Sequence, residues 1–427
     1  MLLEFRFRNF RSFRQEAALS LVASTDTELQ GTNTSLTNLK VIPRAVRSAV
    51  IYGPNASGKT NVLVALGFMR NLVAGSASLQ PGQPLNFQPF RLDADALAEP
   101  TLFEATLLLD GARYQYGFEF NASRITAEWL LVYTKQKPQR WFDRKFADER
   151  DQFEFSSHLS GQKRLWQEAT RPNSLFLSTA VQLNSDQLRP LYDWLTQSLI
   201  VFFEGGQIPE SYSTAALQAP KNNEAITALI AAADIGIAGI RAVQEKGLVQ
   251  SVQFDLLTGK SEAHSESQDI LVPKFRHTVG KVSAEFGLGD ESQGTRKLFA
   301  LAGPLLEILD KGHTLVIDEL DRSLHPLLTQ QIIQAFHDPE LNRNGAQLIF
   351  STHDTSLLSA HLLRRDQVWL TEKGPEQASS LFPLTTFTIR KGEALEKGYL
   401  SGRYGGLPIL DQSLIRSRHR GAKQTSA

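Results

Sequence analysis

Gly53-Pro54-Asn55-Ala56-Ser57-Gly58-Lys59-Thr60 fits the pattern G-x-x-x-x-G-K-[ST]. Residues of these types at this spacing bind phosphate. The glycines let the backbone wrap a phosphate chain, and the loop amides with the following helix N-terminus supply positive potential. Lys59 reaches the outer phosphates and the Thr60 hydroxyl ligates Mg²⁺. A second constellation lies downstream, where Thr314-Leu315-Val316-Ile317 runs into Asp318 and Glu319. Ligand chemistry sits at the C-terminal end of a buried parallel strand. Asp318 is placed there to hold Mg²⁺, directly or through water, and Glu319 to orient and polarise an attacking water. Alone, the two acids read as an ordinary acidic turn; the phosphate loop upstream reverses that. Leu348-Ile349-Phe350-Ser351-Thr352-His353 is a second such strand, ending at a histidine able to hydrogen-bond a terminal phosphate. Gly289 to Phe299 holds Ser292-Gln293-Gly294 ahead of a helix, a further anion-binding N-terminus or a simple capped helix.

The elements around these residues follow from periodicity. Ala49 to Tyr52 is a short apolar strand before the loop, and the helix after it opens with Asn61 and reaches about Ala74. Leu3, Phe5 and Phe7 alternate with Glu4, Arg6 and Arg8 as a first strand. Ser24 to Asn38 and Leu79 to Pro89 read as loops. Leu102–Leu109 and Arg113–Phe120 meet across Asp110-Gly111 as a hairpin, with Glu128–Tyr133 as a third strand. From about Ser156 to Ile240 the pattern is largely helical. Leu248, Val252 and Phe254 suggest a short strand, and Ser261 to Asp269 a polar loop. Leu298, Leu301, Leu305, Leu306 and Ile308 form the buried face of the helix after Gly294, which Gly303-Pro304 kinks or interrupts.

The 427 residues have room for two or three domains, and Lys+Arg and Asp+Glu total 45 each. Zero net charge argues against a surface that grips nucleic acid throughout, and leaves local basic patches open. With no cysteine, disulfides, a cysteine zinc site and a thiol nucleophile are excluded. The N-terminus lacks the apolar core of a signal peptide, and no stretch approaches the roughly 20 apolar residues of a membrane span. The expectation is a cytoplasmic protein without membrane contact.

Taken in order, these motifs resemble the ABC-type ATPase heads of the SMC-like group, including RecF- and OLD-like proteins. Asn9-Phe10-Arg11-Ser12-Phe13 looks like that group's opening strand-turn, Gly53 to Thr60 like its Walker A loop, and Ser292-Gln293-Gly294 like its signature. Asp318-Glu319 looks like Walker B, Ser323 to Pro326 like the D-loop, and His353 like the switch histidine. The resemblance covers about residues 1–75 and 285–370.

The resemblance implies an α/β fold, a P-loop NTPase head with an antiparallel β subdomain and an inserted helical subdomain. Its expected division is 1–155, the N-terminal lobe; 156–270, the helical insert; and 271–427, the C-terminal lobe. It implies ATP and Mg²⁺ as ligands, with Arg11, Gly53, Asn55, Ala56, Ser57, Gly58, Lys59, Thr60, Asn61, Ser292 and Gly294 at the nucleotide. Glu319 and His353 would be catalytic; Thr60, Asp318 and, as Q-loop candidate, Gln88 would serve the metal. Two heads would sandwich two ATP molecules, each Ser292 meeting the γ-phosphate held by the partner's Walker A loop.

Departures narrow the reading. The signature lacks the full L-S-G-G-Q of membrane transporters, and residues 61–291 separate the loop from the signature, longer than in a transporter head. No cysteine zinc hook can form, and the stretch after His353 is too short for a Toprim domain. Tyr399-Leu400-Ser401-Gly402-Arg403-Tyr404-Gly405-Gly406-Leu407-Pro408 looks like the terminal segment of stand-alone prokaryotic defence ATPases resembling RloA, which accompany a separate effector, often a nuclease. The same glycines and aromatics also suit a C-terminal loop packed on the core. Arg416, Arg418, His419, Arg420 and Lys423 read as a frayed basic tail, with DNA or RNA left open as a partner. The expected function is an ATP-hydrolysing dimeric switch governing an effector; the alternatives are a RecF-like DNA-repair ATPase and a scaffold that holds ATP without turnover.

Overall fold

The computed structural model describes residues 1–135, 137–203, 208–233, 236–254, 261–389 and 393–407. It is a mixed α/β fold with two large sheets. The first is antiparallel, in the order Arg150–Phe155, Gln139–Ala147, Ile125–Tyr133, Ala112–Phe120, Thr101–Leu109, Leu2–Arg8, Ala17–Ser20. The second runs Leu199–Phe202, Thr314–Ile317, Gln347–Ser351, Ser48–Tyr52, Val368–Lys373, Ser379–Pro383. Its first five strands are parallel and the last pairs antiparallel.

The strands of the parallel sheet are apolar on both faces because both faces are covered. Ile51, Val316, Ile349 and Trp369 pack toward the helix Lys59–Gly75 and the antiparallel sheet. Val50, Leu315, Leu348, Phe350 and Leu370 pack on the other side with the helices Gln293–Lys311 and Pro326–His337. All the parallel strands end on one side, which gathers the loops after Tyr52, Ile317 and Ser351 into one place.

The predicted hairpin forms, with Asp110 and Gly111 both at positive φ. Phe5 and Phe7 are buried together, but Leu3 is not on their side. The ladder to Thr101–Leu109 shifts register between Leu2 and Glu4, and Leu3 packs instead with Ile42 and Ala45. A one-residue shift turns a side chain to the opposite face.

Two strands, Gln139–Ala147 and Arg150–Phe155, were not foreseen. Their turn is Asp148-Glu149, both at positive φ, which has the form of a tight hairpin turn without the glycine that announces one. In the loop 24–38, Gln30–Asn33 forms one helical turn and Thr34–Leu36 a short strand.

The segment 156–270 also needs correction as a helical insert. Helices at Lys163–Ala169, Phe176–Gln182, Arg189–Asp193, Glu210–Ala216 and Pro220–Ala233 are present. Between them Leu199–Phe202 joins the parallel sheet beside Thr314–Ile317. Ile237–Phe254 then pairs along its length with Ser261–Val279, so the supposed loop 261–269 is strand and a boundary at 270 cuts through it. Residues 261–269, Ser261-Glu262-Ala263-His264-Ser265-Glu266-Ser267-Gln268-Asp269, offer no hydrophobic period to read.

The helix Gln293–Lys311 runs unbroken through Gly303-Pro304. Proline leaves the carbonyl four residues earlier without its helical donor. Ser213 supplies one: its Oγ donates to Ala300 O at 3.1 Å and accepts from Gly303 N at 2.9 Å. Leu298, Leu301, Leu305 and Ile308 are buried as expected, while Leu306 is only half-buried.

The C-terminal residues 393–407 pack on the core. Tyr399 lies against Tyr52 and donates to Gly406 O at 2.8 Å, and the buried Tyr404 ring closes on Gly398. Pro408 and the basic residues Arg416, Arg418, His419, Arg420 and Lys423 lie outside the described residues.

Candidate functional site

The phosphate-binding loop connects the buried strand Ser48–Tyr52 to the helix Lys59–Gly75. Gly58 caps that helix at φ 114, and a Cβ there would lie 2.7 Å from Ser379 Oγ. Ser57 Oγ shares a hydrogen bond with Thr371 Oγ1, 2.5 Å away. The loop is thus pinned from the strand Val368–Lys373 and from Ser379. Lys59 is buried, and its ammonium donates to Gly53 O at 2.8 Å and Pro54 O at 3.2 Å. Burial lowers its pKa, opposed by attraction to Asp318, Glu319 and Asp321. The acids therefore stand within electrostatic reach of the loop lysine, as sequence reasoning required. Thr60 and Asn61 open the helix beside it.

Ser351 holds both acids. Its Oγ donates to Asp318 Oδ1 at 2.5 Å and accepts from the Glu319 N–H at 2.9 Å. Asp318 Oδ2 is buried and has no hydrogen-bond partner among the described residues. An unpaired carboxylate oxygen costs free energy unless something meets it, and a divalent cation fits that need. Among the described residues no group of three or more His, Asp and Glu side chains could hold a metal ion without other ligands. Glu319 sits at φ 49, in the left-handed region where a non-glycine residue is strained. His353 Nε2 is 3.9 Å from its Oε1, and Arg322 Nη1 is 3.6 Å from its Oε2.

Arg11 and Gln88 come together, but with each other. Gln88 Oε1 accepts from Arg11 Nε at 2.8 Å, and Arg11 Nη1 donates to Asn61 Oδ1 at 3.3 Å. Asn61 Nδ2 reaches Ser12 Oγ at 2.8 Å, and Ser379 Oγ donates to that hydroxyl. This cluster buttresses the first turn of the loop helix. The expected metal role of Gln88 finds no support in this placement. Its amide oxygen is used by Arg11, and among the described residues no hydrogen bond joins it to Thr60 or Asp318.

Ser292 caps the helix Gln293–Lys311, its Oγ accepting from Thr295 N at 3.1 Å. Gly294 packs on the turn after Glu319, where a Cβ would lie 2.9 Å from Ser323 O. Gly294→Ala must shift one of two backbones, and is expected to cost about 1–3 kcal/mol of stability. A lower denaturant midpoint at unchanged slope would show it; an unchanged midpoint would mean the contact is slack.

Sequence reasoning missed Ser351, Thr371, Ser379 and Lys297. Ser351 carried one signal, a hydroxyl at the end of an apolar run beside His353. The others act through contacts that only the sheet order creates.

The family model described as "AAA domain, putative AbiEii toxin, Type IV TA system" matches residues 48–359, from the strand before the phosphate loop to beyond His353. The chain belongs to this AAA family. No curated protein matches this AAA protein. Among solved structures it is similar to the SMC head domain from Thermotoga maritima, at 14% identity and TM-score 0.42 over 91% of this chain and 99% of that one. An SmcHead bound to the C-winged helix domain of ScpA is 12% identical at TM-score 0.43, over 91% and 98%. An Smc head with an extended coiled coil bound to the C-terminal domain of ScpA, from Pyrococcus furiosus, is 11% identical at TM-score 0.39, over 94% and 98%. Among the described residues of the AAA protein no helix is long and apolar enough to cross a membrane.

Proposed function

We propose that this protein binds and hydrolyses ATP as a dimeric switch, the ATPase component of a prokaryotic anti-phage defence system that controls a separate effector such as a nuclease. The observation that supports it best is the gathering of Lys59, Asp318, Glu319 and His353 at the ends of neighbouring parallel strands, with Ser351 bonded to both acids. The family description, with its type IV toxin–antitoxin system, is in keeping with a defence role.

Gly53 to Asn61 would cradle the phosphates through backbone amides, with Lys59 at the outer ones. Thr60 and the unpaired Asp318 oxygen would hold Mg²⁺, which when bound neutralises charge on the phosphate oxygens. Glu319 would take the proton of the attacking water, and His353, beside it, would contact the terminal phosphate. Ser292 and Gly294 would face the nucleotide of a second copy. Catalysis of this kind is positioning and charge stabilisation, without covalent intermediates.

Mass measured in solution with Mg²⁺ and ATP, then with ADP, tests the switch. ATP is expected to give dimers and ADP monomers, with phosphate released in between. A monomer throughout would sink the switch, and dimers without phosphate release would leave a scaffold.

A further inference from the structure

The helix that begins beside Ser292 reaches the acidic turn through a side chain that phosphate binding does not use. Lys297 stands in the second turn of Gln293–Lys311 and extends across to the chain that follows Ile317. There its Nζ donates to the carbonyls of Glu319 at 3.2 Å, Leu320 at 3.2 Å and Arg322 at 2.5 Å. An ammonium has three N–H donors and no acceptor, so three converging carbonyls use it completely. A neutral amine would turn a lone pair toward one of them. The side chain lines the same cleft as Asp318 and Glu319, about 470 Å³ in volume. Burial draws its pKa down to about 8, against attraction from Asp321 and Glu319 and with repulsion from Arg322.

The turn it grips requires restraint. Glu319 at φ 49 and Ser323 at φ 61 are both side-chain-bearing residues in the left-handed region. Such conformations persist only where the surroundings over-determine them. Ser351 restrains the Glu319 N–H, and the Arg322 N–H bonds Glu319 O at 3.0 Å. Lys297 gathers the carbonyls of the same turn. Gly294, pressed against Ser323 O, makes a second tie between helix and turn three residues earlier.

We propose that Lys297 is a positioning residue that locks the Glu319 peptide to the helix beginning at Ser292, so that movement of that helix reaches the hydrolytic carboxylate of the same protomer. The proposal rests on the ATPase reading above.

The test compares Lys297→Met, of similar length but without donors, and Lys297→Ala with the wild type and Glu319→Gln in ATP-dependent phosphate release and nucleotide binding. Misplacement of a reacting group by about 1 Å costs on the order of 10²-fold in rate. A fall of about that size in kcat is expected for Lys297→Met, with ATP affinity within about threefold of wild type, the split that a group acting on the chemical step produces. Propylammonium is expected to restore part of the Lys297→Ala activity where sodium chloride at equal ionic strength restores none. Wild-type kcat in a folded Lys297→Met overturns the proposal. So does equal loss of kcat and affinity with no rescue by propylammonium, the mark of a merely structural side chain. Should the methionine variant fail to fold, the alanine variant with and without propylammonium decides alone. Equal phosphate release by wild type and Glu319→Gln would instead overturn the ATPase reading itself.

Discussion

Replacing Glu319 by glutamine is expected to lower phosphate release by about 10²–10⁴-fold, the range a positioned general base supplies. The argument is local. Glu319 lies two residues past the end of a buried parallel strand, its N–H is fixed by Ser351 Oγ, and its carbonyl is gripped by Lys297 and the Arg322 N–H. Glutamine keeps the length, the backbone conformation and those main-chain bonds, and loses the negative charge and with it the ability to take a proton. ATP affinity is therefore expected to stay near wild type, and ATP-bound dimers to accumulate because the step that parts them is blocked. Single-turnover phosphate release and mass in ATP read the two effects separately. Unchanged release would remove Glu319 from the chemistry; lost release without dimers would separate hydrolysis from assembly.

Lys59→Ala is expected to abolish nucleotide binding at micromolar ATP. Truncating one partner of a buried charge pair costs about 2–5 kcal/mol, roughly thirty- to several-thousand-fold in Kd. The nucleotide-free protein should respond differently. Lys59 is a buried ammonium with a lowered pKa, held by two loop carbonyls. Removing it gives up those bonds but also the desolvation of a charge, so the two terms offset. Thermal unfolding with and without Mg²⁺ and ATP tests both halves. The midpoint without nucleotide should move little, and the upward shift that a ligand confers on its native state should vanish. A retained shift would place the nucleotide elsewhere.

Much of the site was legible because its residues lie at the ends of apolar runs. Ala49–Tyr52, Thr314–Ile317 and Leu348–Phe350 each change abruptly from aliphatic to polar, and that change marks the sheet edge where ligands bind. What was hidden is of two kinds. Leu199–Phe202 is an apolar run of four flanked by helices, and length alone does not separate a buried strand from a helical turn. The strands around Asp148-Glu149 and the ribbon 261–269 lack the glycine or the hydrophobic alternation that announces a hairpin. Gln88 shows the second kind. Its motif neighbourhood suggested a metal, but only the fold reveals that Arg11 claims its oxygen. Lys297 is invisible for the same reason, and Ser351 shows only as a hydroxyl at a strand end, since their partners are main-chain atoms and a carboxylate more than 20 residues away.

The phosphate loop lies early in the chain, yet its walls arrive late. The strand Ser48–Tyr52 sits between Gln347–Ser351 and Val368–Lys373, and the loop is pinned by Thr371 and Ser379. A ribosome that has translated only the first three hundred or so residues has made the motif but neither of the strands that flank it in the sheet, nor Thr371 and Ser379 that pin it. Nucleotide can stabilise this protein only after residue 379 has emerged and closed back on Ser12. Such non-local closure is slow, so a nascent chain must stay unaggregated without help from its own ligand, and a chain cut short in translation carries an ATP motif but no ATP site.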